Sequence, residues 1–461
     1  MKTRLQNRKN KKTKIKLDSL PVLEPNAAGI DIAHREHWCA VPPDRCEKPV
    51  RPFGTFTEDL EKMADWLQEC GITTVAMEST GVYWIPAFQV LERRGFKVCL
   101  VNARHVKNVS GRKSDVLDCQ WIQRLHSCGL LNASFRPADS MCVLRSYLRY
   151  RDDLVSARSV QCQHMQKALQ QMNVQLHQVL SDVTGASGRR IIEAILAGER
   201  DARKMAALAD RQVRASVTTI EKALRGDYRA EHLFVLRSAF DLYQTYERKI
   251  HLCDEQIIAQ LAQLPARVDL KDKPVPPPKP GRPRLLDMVA GTDLRAELYR
   301  CTGVDLTAIE GVGVLTAQVV LSEIGLDMTR WRSEKQFASW LGLCPDNRIS
   351  GGKVLSSHTR PVVNPVADAL RIAATTLQHS KTALGAFYRR MRAKLGAASA
   401  ITATAHKLAR IVYRLLKYGE LYVRQGMEDY EKKYRERVLH NLKKTAASFG
   451  FELTPTQQLA S

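Results

Sequence analysis

The alternation of apolar and polar residues changes its period along the chain. Between residues 27 and 131, short apolar segments predict strands at 28–33, 37–41, 52–57, 72–77 and 96–101. Segments of helical period predict helices at 58–70, 85–94 and 114–128, each followed by a glycine. Thr57 is expected to cap the first of these helices with its side chain. The order β-β-β-α-β-α-β-α predicts a mixed α/β sheet flanked by helices, in which an antiparallel meander leads into crossover units.

A seven-residue period follows from residue 141 to residue 264. Apolar residues recur at this spacing in two series, Leu148, Val155, Cys162, Leu169, Leu176, Val183 and Leu236, Tyr243, Ile250, Ile257, Leu264. Such seams favour either a helical hairpin or a coiled coil between subunits. The interior stripe of a monomeric helical bundle has the same pattern, so these alternatives stay open.

A proline-rich segment at residues 273–284 separates this region from a second helical region. It holds too many prolines for a helix or a sheet and is predicted to be extended. Its core resembles an AT-hook, which would place Arg282 and Arg284 in a DNA minor groove, although a basic spacer has the same composition. The patterns divide the chain into a basic tail at 1–26, an α/β domain at 27–135, a helical coiled-coil region at 140–265, a linker at 266–298, an all-α domain at 299–445 and a tail at 446–461.

Composition adds a strong positive charge to this outline. The 461 residues include 71 Lys and Arg against 48 Asp and Glu, a formal net charge of +23. An apolar content of 44% is enough for buried cores, which excludes a mainly disordered chain. Without an apolar segment of about 18 residues or a signal peptide, we expect an intracellular protein that does not enter a membrane. The surplus charge favours a polyanionic partner, first nucleic acid and second an anionic membrane surface.

Cysteines and the N-terminal tail are less specific. The eleven cysteines are scattered and contain no Cys-x-x-Cys pair, which excludes a zinc ribbon or dithiol site and fits a reducing compartment. Eight basic residues between positions 2 and 16 are opposed only by Asp18 within residues 1–20. This tail is either an arm that grips phosphates or a solvated end.

Four carboxylates of the α/β segment stand at informative positions. Asp31 lies inside the first strand among apolar residues, and Glu78 follows the strand predicted at 72–77. Asp115 and Asp118 are three residues apart on the last helix and therefore point the same way. Four acids at one sheet edge would repel one another unless divalent cations neutralised them, and their oxygen ligands suit Mg²⁺ or Mn²⁺. Taken singly, each acid is equally explained by a salt bridge, a helix cap or a solvated face.

A glycine turn in the C-terminal region suggests a DNA contact. Residues 306–316 are predicted to form a helix, a turn containing Gly311 and Gly313, and a second helix. Helix-hairpin-helix elements of this kind direct backbone N–H groups at a DNA phosphate. A turn that only joins two helices has the same sequence.

A serine lies in a polar, glycine-rich segment at residues 346–353. Ser350 is followed by two glycines, which permit close approach of a ligand, and is predicted to lie in a loop. It could attack a phosphodiester while Arg348 and Lys353 hold the phosphate oxygens. Most such loops are only turns, so the chemistry depends on further support.

Several segments resemble one enzyme family. Residues 29–34 (GIDIAH), 77–84 (MESTGVYW), 102–105 (NARH) and 113–118 (KSDVLD) closely resemble DEDD transposases, whose domain has a RuvC-like RNase H fold. These insertion-sequence recombinases are related to Piv-type DNA invertases and guided by a bridge RNA. Residues 337–345 (FASWLGLCP) and 350–353 (SGGK) resemble the second domain of the same family. The similarity covers roughly 27–131 and 300–420.

The resemblance implies a set of site residues. Asp31, Glu78, Asp115 and Asp118 would be a catalytic tetrad that holds Mg²⁺ or Mn²⁺. Ser350 would be a nucleophile that forms a covalent phosphoserine link to DNA, with Ser356 and Ser357 as neighbouring alternatives. Nucleic acid would be contacted by Lys113, Gly311, Gly313, Arg348, Lys353, Arg282 and Arg284.

The resemblance also implies a recombinase that cleaves and rejoins DNA at element ends and target. It implies a guide RNA, a homo-oligomer (dimer or tetramer) joined through the heptad seams, and a bacterial cytoplasmic, nucleoid-associated location. A metal-dependent nuclease or junction resolvase, in which water attacks, is one alternative. A non-catalytic nucleic-acid scaffold is another. One departure is residues 358–365, where two prolines replace the family's basic segment and predict a delayed helix.

Overall fold

The computed structural model describes residues 20–453 except 80, 103–114 and 278–287. It divides into two compact units, Met1–Arg136 and Pro137–Ser461, which are described separately. Within the described residues, no helix combines the length and the apolar character that crossing a membrane requires. All eleven cysteines are free thiols.

The first unit is built on a five-stranded mixed sheet. Its elements are β1 Ala27–Ile32, β2 Glu36–Ala40, β3 Val50–Gly54, α1 Thr57–Glu69, β4 Thr74–Glu78, α2 Trp84–Arg93, β5 Lys97–Val101 and α3 Asp115–Ser127. The strand order is β3-β2-β1-β4-β5. Strands β1, β2 and β3 pair antiparallel, and β4 and β5 run parallel to β1. The predicted mixed sheet with flanking helices is confirmed.

One local prediction in this unit is wrong. Thr57 does not cap α1 but is its first residue, and the N-cap position belongs to Phe56, which makes no side-chain cap. The helix starts one residue earlier than predicted, and Glu58 and Asp59 lie in its first turn, where negative charge is favourable at the positive end of the helix dipole.

The two faces of the sheet are covered by different helices. Alternate residues of the central strands, such as Ile30 and Met77, join the α1 and α2 side chains in the main core. On the opposite face, Ile122 of α3 is fully buried against Ala76 and Val101. Because side chains alternate between the faces of a strand, the residues next to Ile30 and Met77 lie on the α3 side.

The second unit begins with two long helices that pack along each other, α4 Asp139–Gln171 and α9 Ala230–Gln263. Arg151 donates to Asp254 at 2.5 Å across their interface, and Leu148 and Ile257 are buried in it. The two heptad series therefore meet within one chain, as in the helical-hairpin interpretation. Four short helices lie between them, α5 Leu176–Val179, α6 Ala186–Leu196, α7 Ala202–Ala206 and α8 Val217–Ala223.

The first heptad series does not continue in one helix to residue 183. Helix α4 ends at Gln171, and Asn173 takes a positive φ of 57° in the turn that follows. Leu176 and Val183 keep the seven-residue spacing but lie beyond the end of α4, in a cluster that the short helices form with side chains of α4 and α9. This cluster of short helices, residues 172–229, is referred to below as the cap.

The rest of the second unit is mainly helical. Its elements are β6 Met288–Val289, β7 Thr292–Asp293, α10 Leu294–Thr302, a 3-10 turn at Leu306–Ala308, α11 Val314–Ile324, α12 Glu334–Trp340, β8 Arg348–Ser350, β9 Lys353–Ser356, α13 Pro365–Thr376, a 3-10 turn at Leu377–His379, α14 Ala383–Leu395, α15 Ala397–Tyr418 and α16 Glu420–Ser448. The delayed helix is confirmed, because α13 begins at Pro365 with Asn364 accepting hydrogen bonds from Val366 and Ala367.

The helix expected before the Gly311 turn is absent from the described residues and is replaced by the 3-10 turn. Asp305 accepts hydrogen bonds from both the backbone N–H and the hydroxyl of Thr307, at 2.9 and 2.6 Å. These bonds satisfy the turn locally, so the backbone has no need of a longer helix.

Candidate active site

Two of the predicted acids lie on adjacent strands at the same level of the sheet. Strands β1 and β4 are parallel, and Ile30 pairs with Met77. Asp31 and Glu78 each follow directly, so both lie on the α3 face, and both are half-buried. The mixed topology therefore brings together two carboxylates that are 47 positions apart in the sequence.

Helix α3 places the remaining acids over the same end of these strands. The Thr74 hydroxyl lies 2.9 Å from Nε2 of His126, and Gln123 donates to the Ala27 carbonyl at 3.2 Å. The C-terminal half of α3 thus covers the N-terminal ends of β4 and β1. Its N-terminal end, with Asp115 and Asp118, accordingly lies toward the strand ends that carry Asp31 and Glu78.

A glycine permits the close packing of α3 on β1. A Cβ atom at position 29 would lie 2.7 Å from the Cα of Gln123 and closer still to the Cys119 carbonyl oxygen. Optimal carbon–carbon separation is about 3.5–4.0 Å, so any larger residue would force α3 away from the sheet. Gly29 is therefore a positioning residue for the acids of α3.

The electrostatics of Cys119 reflect the same arrangement. Burial raises the pKa of this thiol to about 12, and the negative charges of Asp31 and Asp118 act in the same direction. Asp31 on the sheet and Asp118 on the helix thus both act on one group between them. Asp115 is the first residue of α3, but its side chain lies outside the described part, as does Lys113.

The donor set suits a hard divalent cation. Asp31, Glu78 and Asp118 offer only carboxylate oxygens, the ligands that Mg²⁺ and Mn²⁺ prefer. Where side chains are described, no group of three Asp, Glu, His or Cys residues is close enough to hold an ion. The fourth predicted ligand, Asp115, is not among those side chains. The carboxylate oxygens of Asp31, Glu78 and Asp118 are of the type that a hard divalent cation binds, so the donor chemistry fits such a metal.

Two aromatic residues at this edge carry no predicted role. His34 follows β1 and Tyr83 precedes α2, and their rings meet edge to face with centroids 5.3 Å apart. The sequence offered one clue to these residues, because each stands a few positions after one of the two strand acids.

Ser350 lies on a hairpin and not in the predicted loop. It is the last residue of β8 and pairs with Lys353, the first residue of β9. Gly351 and Gly352 form the two-residue turn with φ of 57° and 76°, the double positive φ of a type I′ hairpin. The glycines are thus explained by the turn, and the strands form because apolar residues such as Ile349 and Val354 flank it.

The hairpin presents its serine to solvent. Ser350 and Lys353 are exposed, and so are the apolar side chains of Ile349 and Leu355, at 61% and 69%. Ser356 is half-buried in β9, and Ser357 beyond it is exposed. The backbone of Arg348 belongs to β8, but its side chain lies outside the described part.

The other predicted nucleic-acid contacts have mixed outcomes. Gly311 has a φ of 81°, and a Cβ there would lie 2.7 Å from the Ala373 carbonyl oxygen, so packing on α13 by itself requires a glycine. Gly313 is the N-cap residue of α11. Arg282 and Arg284 lie outside the described residues.

Part of the C-terminal positive charge stabilises the fold. Arg410 and Arg414 both donate to the carboxylate of Glu334. Arg389 donates to the carbonyls of Gln378 and Ser380. Arg410 and Arg414 are therefore partly neutralised by one carboxylate, and Arg389 is held by neutral carbonyls, which the count of charges did not reveal.

The amino-acid sequence is similar to known transposases in two regions. A model of the DEDD transposase of IS110 elements, described as "Transposase", matches residues 28–174, and a model described as "Transposase IS116/IS110/IS902 family" matches residues 305–389. The protein "Putative transposase y4pF/y4sB" of Sinorhizobium fredii (strain NBRC 101917 / NGR234) is 34% identical over 127 residues, 25% of this chain and 32% of that protein. The chain thus spans about a third of the length of this curated relative. The two models match separate regions that together make up about half of the chain, and over both regions the chain is similar to transposases of the IS116/IS110/IS902 family.

Proposed function

We propose that this chain is a transposase that cleaves and rejoins DNA with a carboxylate site and a serine nucleophile. The observation that carries the proposal is the packing of α3 on β1 and β4. This packing brings the N-terminal end of α3 toward the half-buried acids Asp31 and Glu78. The similarity of residues 28–174 and 305–389 to two transposase models supports the same activity.

Asp31, Glu78, Asp115 and Asp118 would hold the divalent metal on which the DEDD family depends, with Mg²⁺ or Mn²⁺ as the expected ions. When bound, such an ion polarises a phosphoryl oxygen and stabilises developing negative charge. The chain supplies the arrangement of the ligands. Sheet register fixes Asp31 beside Glu78, and the close approach at Gly29 fixes the acids of α3.

Ser350 would attack the scissile phosphate. Its Oγ forms a bond to phosphorus while the bond from phosphorus to the leaving DNA oxygen breaks, and the hydroxyl proton passes to that oxygen. Attack by a DNA hydroxyl on the phosphoserine then restores Ser350 and forms the new strand joint. Lys353, paired with Ser350 across the turn, is placed to neutralise a phosphate oxygen, with Arg348 as a second candidate.

Further parts of the proposal concern partners. The net charge of +23 would allow the chain to bind a second nucleic acid besides the DNA duplex. We propose that this second partner is a structured guide RNA that selects the target. A homo-oligomer acting on the bacterial nucleoid completes the proposal. The division into a tail at 1–26, a RuvC-like domain at 27–135, a coiled-coil region, a linker and a transposase domain also stays a proposal.

The test compares Ser350→Ala and Asp118→Asn with the unaltered chain. A plasmid carrying the DNA that flanks the gene is incubated with the protein, RNA transcribed from that DNA, and Mg²⁺. Denaturing gels then resolve free cleaved ends from protein-bound ends. We expect Ser350→Ala to lose the covalent adduct and Asp118→Asn to lose both adduct and cleavage, while DNA binding by each variant stays within about twofold.

Ser159→Ala and Asp44→Asn serve as matched controls, because each replaces an exposed side chain in the same unit as one of the altered positions. Cleavage without an adduct by the unaltered chain and by Ser350→Ala, but not by Asp118→Asn, would identify a metal-dependent nuclease or resolvase in which water attacks. If every protein, including the unaltered chain, bound DNA and none cleaved it, the chain would be a non-catalytic scaffold. An adduct formed by Ser350→Ala would disprove the assignment of the nucleophile.

A further inference from the structure

Aromatic and apolar side chains are exposed at the sheet edge that carries the two strand acids. His34 comes three residues after Asp31, and Tyr83 comes five residues after Glu78. The Tyr83 side chain is 42% exposed, and Val82 beside it is 67% exposed. At about 3.3 Å per residue, both rings lie within roughly 10–17 Å of the carboxylates along the chain.

The segment that carries Tyr83 is held in place by several bonds. The backbone N–H and the hydroxyl of Ser79 both donate to the Val101 carbonyl, at 3.0 and 3.1 Å. The indole N–H of Trp84 donates to the Gly81 carbonyl at 3.1 Å, and its ring packs edge to face on Phe88. Gly81 has a φ of 54°, which permits the tight turn before α2. Tyr83 therefore has a fixed position, and its exposure is not that of a loose loop.

The contact between the two rings links both strand ends. The planes of His34 and Tyr83 meet at 85°, so the edge of one ring meets the face of the other. This leaves part of each ring surface uncovered, as the exposure of both residues shows. Exposed aromatic rings beside a phosphodiester site are suited to stack on nucleobases, because every base has a π-face.

We propose that His34 and Tyr83 form a platform on which an unpaired base next to the scissile phosphate stacks. The inference rests on the proposed function, since it takes the acids to mark the place of cleavage. Stacking on the platform removes the flanking nucleotide from the duplex and so fixes the phosphate relative to Asp31 and Glu78. Since stacking ignores base identity, the platform holds any sequence and leaves target choice to other parts of the complex.

The binding test uses a short DNA duplex with one unpaired 2-aminopurine, a base whose fluorescence is quenched by stacking. The full-length chain is titrated with it in Ca²⁺. We expect the unaltered chain and Tyr83→Phe to quench the probe. Tyr83→Leu and His34→Ala are expected to lose the quenching and to bind about tenfold more weakly. Leu130→Ala is the control, because Leu130 is an exposed apolar residue of the same unit, at 52%, and follows the end of α3 that covers the opposite ends of β1 and β4.

A cleavage test separates stacking from a structural role. With Mg²⁺, Tyr83→Leu should cleave the plasmid-derived target at least about tenfold more slowly, and an abasic site at the flanking position should abolish this difference. Quenching by Tyr83→Leu equal to that of the unaltered chain would overturn the platform. The platform would also be overturned if Tyr83→Leu cleaved intact and abasic DNA with the same loss of rate. A change of oligomeric state of Tyr83→Leu in sedimentation would overturn it as well, because a second copy would then cover this edge. The quenching experiment needs no cleavage, so the platform can hold even where Ser350→Ala and Asp118→Asn fail their own test.

Discussion

The closest approach between α3 and the sheet allows a sharp test through Gly29→Ala. The added Cβ would stand 2.7 Å from the Cα of Gln123, about 1 Å inside a normal carbon contact, and closer still to two backbone atoms. Backbone cannot rotate away as a side chain can, so α3 must shift by about 1 Å. Such overpacking costs about 1–3 kcal/mol, and strain on the bond from Gln123 to Ala27 and the contact between His126 and Thr74 adds about 1 kcal/mol.

The expected results are a loss of about 2–4 kcal/mol in the free energy of unfolding of the first unit and a roughly 100-fold fall in cleavage rate. Urea unfolding followed by tryptophan fluorescence measures the first, and a single-turnover cleavage assay measures the second. Gly95→Ala is the control, since its φ is 85° but nothing lies within 4 Å of the added atom. It should cost about 1 kcal/mol and leave cleavage nearly unchanged. If Gly29→Ala unfolded and cleaved like the unaltered chain, α3 could not lie where the structure places it, and the argument for the carboxylate site would be refuted.

Three further predictions concern other parts of the chain. Burial raises the pKa of Glu334, but hydrogen bonds from Arg414 and Arg410 outweigh it and hold the pKa below its ordinary value of 4.5. Glu334→Gln should therefore destabilise the second unit by about 1–3 kcal/mol at neutral pH in urea unfolding. The difference from the unaltered chain should vanish as pH falls below 4.5, because the carboxylate is then protonated. Glu436→Gln, which replaces an exposed side chain, should have no effect in the same measurements. Burial lowers the pKa of His37 below 6.5, so the unfolded chain takes up the proton first and the first unit loses stability as pH falls below that value. His37→Gln should flatten part of this dependence in unfolding curves between about pH 7 and pH 5, and an unchanged slope would contradict the assignment. At the hairpin, Gly351→Asn should keep the covalent DNA adduct because Asn tolerates positive φ, whereas Gly351→Val should lose it, and equal yields on a denaturing gel would show that the turn does not position Ser350.

Much of the carboxylate site could be predicted from the sequence. Period-two segments and glycine-terminated helical segments gave the order of strands and helices, and the crossover rules then placed the ends of β1 and β4 at one edge. Asp31 and Glu78 stand at those ends, and the structure sets them side by side on one face of the sheet. The close approach at Gly29 could not be predicted, because the sequence between Glu78 and α3 does not say how far the helix lies from the sheet.

Two interpretations went beyond what local patterns can decide. The seven-residue spacing continues to Leu176 and Val183, although α4 ends before Asn173, which has a positive φ. Both residues are buried in the cluster that the short helices form with α4 and α9, so spacing alone does not distinguish them from positions in a continuous helix. Ser350 was expected in a loop because of its polar, glycine-rich surroundings. The pairing of Arg348 with Ser356 and of Ser350 with Lys353 depends on hydrogen bonds between strands, which a composition-based prediction does not see.

The cap has a consequence for how this chain can be altered. The chain leaves α4 at Met172 and returns beside the same residue, where the Asp227 N–H donates to the Met172 carbonyl at 2.8 Å. With α4 of 33 residues, the cap lies at one end of a helical pair about 50 Å long. Entry and exit are thus adjacent, so the cap is an insertion that can be lengthened, exchanged or trimmed to a short turn without altering the path of α4 and α9. Only the few side chains that these helices lend to the cap, such as Met165 and Phe240, would then need polar replacements.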